Sequence, residues 1–586
     1  MKRWRINPPK SREIRFWRVD LIFLFIIFFG AVIICRLFFL QVLNQEYWQA
    51  LAKGQQEVFL EIPGTRGEIF LRDKSDNLYP LAVNKDWFLV YAAPNEVRDK
   101  IGTAQKLSEA LELDKDLILE KINKETFYAV IKKRLTEEEL DKIKSLNLDG
   151  IYLEKENGRF YPQKFLASQT IGFLGAEGEG KYGIEGYYND VLRGEKGFQE
   201  GERSAQGFFL AFAERFLPAE RGSDLILTID YNIQFKAEKL LEKAKEELGI
   251  EEGTIIVGDP ASGDILAIAN FPNFDPNKYS EIEDWEIFQD SAIQKIFEPG
   301  SAFKPIIMAA GLNENKFTPE TTYEDKGFVK VGGYTIYNYG NRTWGQKTMT
   351  EVLEMSINTG AVFAEKQVGH NLFLKYLEKF GIFKPTGIDL EGEIFSENKE
   401  FKMGYEINFA TASFGQGIEM TPIQFFRAFS GIANKGILVK PHVIKKVLTD
   451  GEEKEVQPEV LDTQIISSQA SSQLIKMLVS VVEQGYAKRA KIPGYYMAGK
   501  TGTAQISWSA LGVNKAGYSD KTVQSFIGFA PAYNPRFQIL VKLNNPKAKT
   551  AEYSAMPIYR ELAKYIIDYY QIPPDYELNE EETEGT

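Results

Sequence analysis

The chain has 586 residues, 44% apolar and 26% charged, with a net charge of −12. That length exceeds one ordinary core and that balance is globular, so two or more folded domains are expected, and the acidic surface argues against a nucleic-acid partner, which needs a basic face. A single cysteine, Cys35, excludes an intrachain disulfide; with only His370 and His442 beside it, a Cys/His zinc site is disfavoured and neither histidine sits in a recognisable Ser-His-Asp context.

Residues 1–20 carry Lys2, Arg3, Arg5, Lys10, Arg12, Arg15 and Arg18 against Glu13 and Asp20. The apolar run 21–42, LIFLFIIFFGAVIICRLFFLQV, has 22 residues, enough to span a bilayer as a helix. Arg36 and Gln41 fall near one end, where they can reach the headgroups. A cleaved signal peptide would have a shorter apolar core and a small-residue cleavage site, which this run lacks. The positive flank keeps the N-terminus in the cytoplasm, so the expectation is one uncleaved, single-pass anchor with everything after it exported across the cell membrane.

Residues 46–220 mix strand-like stretches such as 87–94 (WFLVYAAP) with charged helical ones such as 134–147, and carry no catalytic constellation. They read as a spacer or interaction domain. A second domain, 221–572, opens with a strand at 225–230, a helix at 233–249 and a hairpin at 253–270, whose two apolar runs flank Pro260-Ala261-Ser262-Gly263-Asp264. Near its other end, 497–507, 524–531 and 537–544 read as strands and 551–570 as a helix. Strands from both ends of the domain predict one sheet covered by helices, an α+β class. Residues 573–586, with two prolines and then a run of Glu, read as a disordered acidic tail.

The chemistry concentrates in FEPGSAFKPIIMAAGL, 297–312. Pro299-Gly300 breaks structure and an apolar helical run follows, placing Ser301 in its first turn and Lys304 three residues on, on the same side. A serine hydroxyl needs a neighbouring base, and a lysine serves if burial keeps it neutral. Alone S-x-x-K is weak, because Ser396-Glu397-Asn398-Lys399 matches too, in a polar stretch without an apolar helix; S-x-N likewise recurs at Ser75-Asp76-Asn77 and at Ser396-Asn398. Order decides: Ser301 and Lys304 are followed by Ser356-Ile357-Asn358 after the helical run 350–355, then by Lys500-Thr501-Gly502-Thr503 on a predicted strand. Lys-Thr-Gly occurs nowhere else in the chain. S-x-x-K, S-x-N and K-T-G in this order mark penicillin-binding proteins and serine β-lactamases.

With these motifs, and with 413–424 (SFGQGIEMTPIQ), 259–277, 65–69 (TRGEI), 159–162 (RFYP) and 183–197 (GIEGYYNDVLRGEKG), the chain resembles a class B penicillin-binding protein over nearly its whole length, leaning to the division-specific type. It departs from the family at Phe70-Leu71-Arg72-Asp73-Lys74, where Asp-Arg-Asn-Gly usually follows the pedestal motif, and at Ala302, where Thr or Val is common. The resemblance implies an elongated α+β pedestal of the dimerisation type (46–220) and a β-lactamase-like transpeptidase domain (221–572) with an antiparallel sheet. It implies a peptidoglycan D,D-transpeptidase: Ser301 is the nucleophile, Lys304 its base, Ser356 and Lys500 the proton relay, and Asn358 the group that orients Lys304. Thr501, Gly502 and Thr503 bind substrate, and the backbone N–H groups of Ser301 and Thr503 form the oxyanion hole. Neither metal nor cofactor is expected. The implied partners are stem peptides, β-lactams and a membrane-embedded glycan-strand polymerase within a wall-synthesis complex. A D,D-carboxypeptidase or β-lactamase would share the motifs; a penicillin sensor or wall-complex scaffold is the non-enzymatic alternative.

Overall fold

The structure, a computed structural model, describes residues 17–38, 58–62, 64–203, 209–515 and 517–577. The chain divides into two compact units, Met1–Thr65 with Gly194–Arg221, and Arg66–Arg193 with Gly222–Thr586.

The described part of the first unit holds the helix Trp17–Phe38 and a three-stranded antiparallel sheet in the order Val58–Ile62, Gly197–Arg203, Phe209–Leu217. In the helix, the side chains from Leu24 to Phe29 are exposed. Among the described residues no helix is long and apolar enough to cross a membrane. Residues 39–42 of the expected anchor, 1–16 of the expected cytoplasmic tail and 578–586 of the expected acidic tail lie outside the described residues.

In the second unit, a seven-stranded sheet runs through the order Glu452–Glu455, Ile444–Thr449, Asp224–Asp230, Ile69–Arg72, Leu78–Ala92, Ala129–Lys132, with Ile151–Phe160 also paired to Leu78–Ala92. Ile69–Arg72 lies parallel to Asp224–Asp230, so the pedestal-like stretch and the later half of the chain share backbone hydrogen bonds. The pedestal signatures converge on one buried carboxyl. Glu185, wholly buried, accepts from Arg66 Nε at 2.7 Å, Arg159 Nε at 2.6 Å and the Tyr161 hydroxyl at 3.1 Å. Burial pushes the Glu185 carboxyl up, but Arg159 and Arg66 outweigh it and hold it below the ordinary range. The departing stretch has its own partners. Arg72 pairs with Asp76 at 3.1 Å, and Asp73 accepts from the backbone N–H groups of Ser75 and Asn77. Arg72, Asp73 and Lys74, with Asp230, Asp264 and Arg536, line a polar cavity of about 350 Å³ to which neither Ser301 nor Lys304 contributes.

The five-stranded antiparallel sheet is built from β1 (Glu252–Gly258), β2 (Ile265–Phe271), β3 (Ala498–Ser507), β4 (Tyr518–Ala530) and β5 (Phe537–Asn544), in the spatial order β2-β1-β5-β4-β3. The hairpin expected at 253–270 is β1–β2, with Gly253 opposite Phe271. The helix Tyr231–Leu248 packs on β2, and the helix Ala555–Tyr570 packs on β4 and β5. Asp230 caps the first of these by accepting from the N–H groups of Asn232 and Ile233. That helix buries Ile233, Ala237, Leu240, Leu241 and Ala244, a stripe at helical spacing, against the sheet. An apolar all-round helix, Lys304–Asn313, is buried from Lys304 to Leu312 and packs against the helices Asn358–Val368 and Ser468–Glu483.

Candidate active site

Ser301 lies one turn earlier than a helix start. It sits in the 3₁₀ turn Gly300–Phe303, and the α-helix proper begins at Lys304 with Pro305 in its first turn. Gly300 enters this turn with φ of +56° and donates its N–H to the carbonyl of Gly415 at 3.0 Å. Gly415 belongs to the stretch 413–424, singled out in the sequence without a role; its carbonyl holds the turn that carries Ser301.

Lys304 has no exposed surface. Its Nζ lies 3.0 Å from Ser301 Oγ, 2.6 Å from the backbone carbonyl of Ser356, 2.9 Å from Asn358 Oδ1 and 3.3 Å from Ser356 Oγ. Burial, and then repulsion from Lys500, hold this amine well below the ordinary lysine range. The neighbours make chemical sense of a neutral amine. Two of them, the Ser356 carbonyl and Asn358 Oδ1, can only accept. They take both N–H bonds of an uncharged lysine, which leaves its lone pair to receive the Ser301 hydroxyl proton.

Ser356 follows the helix Met349–Glu354 and has φ of +54°, a left-handed conformation that costs a side-chain-bearing residue about 1 kcal/mol or more. This twist accompanies both contacts of Ser356 with Lys304, through its carbonyl and its hydroxyl. Asn358 opens the next helix, Asn358–Val368, and its Nδ2 donates to the carbonyl of Tyr337 at 3.2 Å. Lys500, on β3 and 1% exposed, donates from Nζ to Ser356 Oγ at 3.0 Å, to the Thr501 carbonyl at 3.1 Å and to Thr501 Oγ1 at 3.2 Å. Burial brings Lys500 down to about 7.

Gly502 is where β3 meets the turn that carries Ser301. A Cβ there would come within 2.5 Å of the Pro299 carbonyl oxygen and of Ser525 Oγ, and 3.0 Å from the Ala302 Cβ. Thr503 lies on the same strand, and its Oγ1 accepts from the Ala551 N–H at 3.3 Å. The structure therefore brings Ser301, Lys304, Ser356, Asn358 and Lys500 into one hydrogen-bonded cluster, with Thr501 and Gly502 against it. The other motif copies stay apart. Ser396 Oγ donates to Glu419 at 3.1 Å, while Lys399 pairs with Glu397 at 3.0 Å in solvent. Asp76, inside the Ser75–Asn77 copy, is part of a turn with φ of +59°. His442 pairs with Asp264 at 3.0 Å and His370 with Glu365 at 3.4 Å, both outside the cluster.

Two further groups were not among the expected site residues. One is the Tyr337 carbonyl, a backbone atom with no side-chain signature. The other is Glu298, which accepts from the Tyr518 hydroxyl at 3.1 Å and whose carboxyl is pushed up to about 7, chiefly by burial. The motif that holds Ser301 contains Glu298, so its neighbourhood was visible in the sequence although its contact with β4 was not.

Residues 253–564 match the family model of the penicillin binding protein transpeptidase domain, and residues 61–227 match that of the penicillin-binding protein dimerisation domain. The chain is 32% identical over 536 residues to stage V sporulation protein D of Bacillus subtilis, covering 89% of this chain and 81% of that one. It is 29% identical over 573 residues to the probable peptidoglycan D,D-transpeptidase PbpC of Pseudomonas aeruginosa, covering 96% and 97%. Among solved structures, a peptidoglycan synthetase from Bifidobacterium adolescentis superposes with a TM-score of 0.69 at 26% identity, over 90% of this chain and 99% of that one.

Proposed function

The chain belongs to the class B penicillin-binding proteins, and we propose that it is a peptidoglycan D,D-transpeptidase acting through an acyl-Ser301 intermediate. Ser301 Oγ attacks the carbonyl carbon of the penultimate D-alanine of a stem peptide while its proton passes to the lone pair of Lys304 Nζ. The backbone N–H groups of Ser301 and Thr503 receive the developing oxyanion. The C–N bond to the terminal D-alanine breaks, and the leaving nitrogen takes a proton through the Ser356 hydroxyl, which stands between Lys304 and Lys500. An amine of a neighbouring strand then attacks the ester. It loses its proton to the same relay, and Ser301 leaves as the alcohol. Lys500, Thr501, Gly502 and Thr503 hold the donor's terminal carboxylate. A β-lactam follows the first half only: its ring opens, the amine stays tethered, and the acyl-enzyme persists.

One observation carries the reading: a serine hydroxyl 3.0 Å from a lysine with no exposed surface, whose other close partners are hydrogen-bond acceptors rather than a counter-ion. Labelling with a fluorescent penicillin tests it. Ser301→Ala abolishes covalent labelling and leaves thermal unfolding unchanged, whereas Ser396→Ala and Ser75→Ala label as wild type. Retained labelling of Ser301→Ala refutes the assignment.

The same reading makes 21–42 a single-pass anchor in the cell membrane, 46–220 a pedestal and 221–572 the catalytic domain outside the cytoplasm. The 22-residue apolar run 21–42 of the sequence and the cationic residues before it support the anchor. A glycan-strand polymerase in the same membrane is the fitting partner, since it supplies the strands to be joined. The role leans to division; depletion giving filaments supports that, and rounded cells point to elongation.

A further inference from the structure

Asn358 can offer either end of its amide to Lys304, and the ends differ in effect. Its oxygen accepts an N–H of the amine; its amino group would instead claim the lone pair that the Ser301 hydroxyl needs. The oxygen faces Lys304 because the amino group is held by the Tyr337 carbonyl. Tyr337 ends the hairpin Phe328–Val331 with Tyr334–Tyr337, which buries Val331 and Ile336 against Ala361 and Val362 but leaves Phe328, Tyr334 and Tyr337 exposed, so something must fix its feet.

That something is Asp325, 1% exposed. One carboxyl oxygen accepts from the Gly327 N–H at 3.0 Å and the Thr359 hydroxyl at 2.6 Å. The other accepts from the Trp344 N–H at 2.8 Å, and Asn338 Nδ2 donates to both, at 3.0 and 2.9 Å. Asn338 Oδ1 in turn accepts from the Thr359 N–H at 3.1 Å. Asp325 thus clamps both feet of the hairpin, Gly327 and Asn338, to Thr359, the residue after Asn358. All these donors are neutral, and a carboxyl with its four lone-pair sites matches their number; an asparagine there offers one oxygen and adds a donor facing donors.

We propose that Asp325 is a positioning residue for acyl transfer, which sets the Tyr337 carbonyl against Asn358 so that Asn358 presents its oxygen to Lys304. The proposal rests on the reading of Lys304 as the base of Ser301. Without the clamp the amide of Asn358 turns, Lys304 loses an acceptor that favours its cation, and its lone pair is drawn off the nucleophile.

The test is the second-order rate constant for acylation of the full chain by a fluorescent penicillin, followed across pH. Asp325→Asn lowers the plateau about 10–100-fold, the usual cost of a misplaced catalytic group, and moves the acid limb to lower pH. Lys500, the charged group facing Lys304 across Ser356, is common to both profiles. Thr359→Val removes the 2.6 Å bond and keeps the carboxyl; it shifts the limb the same way with a smaller loss, and it decides the matter if Asp325→Asn does not fold. A lowered plateau with an unmoved limb in the variant that folds means a role in folding alone and overturns the proposal. Wild-type protein that does not label at Ser301 overturns instead the reading on which it rests.

Discussion

Lys500 Nζ donates to Ser356 Oγ across 3.0 Å, and this one hydroxyl is the bridge to Lys304, whose Nζ lies 3.3 Å from it on the other side. Two buried amines that share a hydroxyl titrate as a pair, and each proton is held where it is less costly. Burial, and then repulsion from Lys500, favour the neutral form of Lys304.

The first prediction is a bell-shaped profile for the acylation constant with an anionic penicillin, measured from about pH 5 to 10. Its rising limb reports Lys304 becoming a base. Its falling limb lies near 7, where free Lys500 loses the charge that attracts the substrate carboxylate. Lys500→Arg keeps a cation at every accessible pH and removes the falling limb, although the changed shape lowers the rate. A flat profile over the range would take both lysines out of the rate-limiting chemistry.

Gly502→Ala is expected to slow acylation about 10–100-fold, with little change in the amount of folded protein. The added methyl meets the Pro299 carbonyl oxygen and Ser525 Oγ at 2.5 Å, so the turn that carries Ser301 must move off β3. Labelling kinetics on purified protein check this, with circular dichroism as the control for folding. Wild-type kinetics would mean that strand and turn tolerate the shift.

Glu185→Gln is expected to destabilise the unit by about 3–5 kcal/mol in urea unfolding at neutral pH, because it strands Arg66 and Arg159 without their buried anion. The sign with pH follows from the lowered carboxyl of Glu185. A depressed acid stabilises above the unfolded glutamate value of about 4.3, and that stability is lost as pH falls through the folded value. The gap between wild type and variant therefore closes on acidification. A gap that is constant with pH would assign the loss to shape rather than charge.

Much of the fold could be read along the chain. The alternation in 253–270 and 537–544 marks strands whichever partner they find, and the apolar run after Lys304 marks a buried helix. Less legible were elements set by distant pairing. The strand predicted at 87–94 is the end of Leu78–Ala92, held in the seven-stranded sheet by Ile151–Phe160, and 551–570 opens with a 3₁₀ turn before its helix begins at Ala555. Nothing local announces the left-handed backbone at Ser356 or the role of the Tyr337 carbonyl.

By itself the sequence determined the residue types, their order along the chain, and the elements that bear them, because helix and strand periods are properties of neighbouring residues. The order of the motifs singled out one of two matching Ser-x-x-Lys pairs, and only the tertiary structure decided how differently the two lysines are surrounded. Lys304 and Lys399 are the same side chain three residues after a serine, yet one has no exposed surface and the other pairs with Glu397 in solvent. The free energy of an amine's proton depends on how much water surrounds it. Around Lys304 the water is excluded by segments that come from 349–368 and 498–507, far away along the chain.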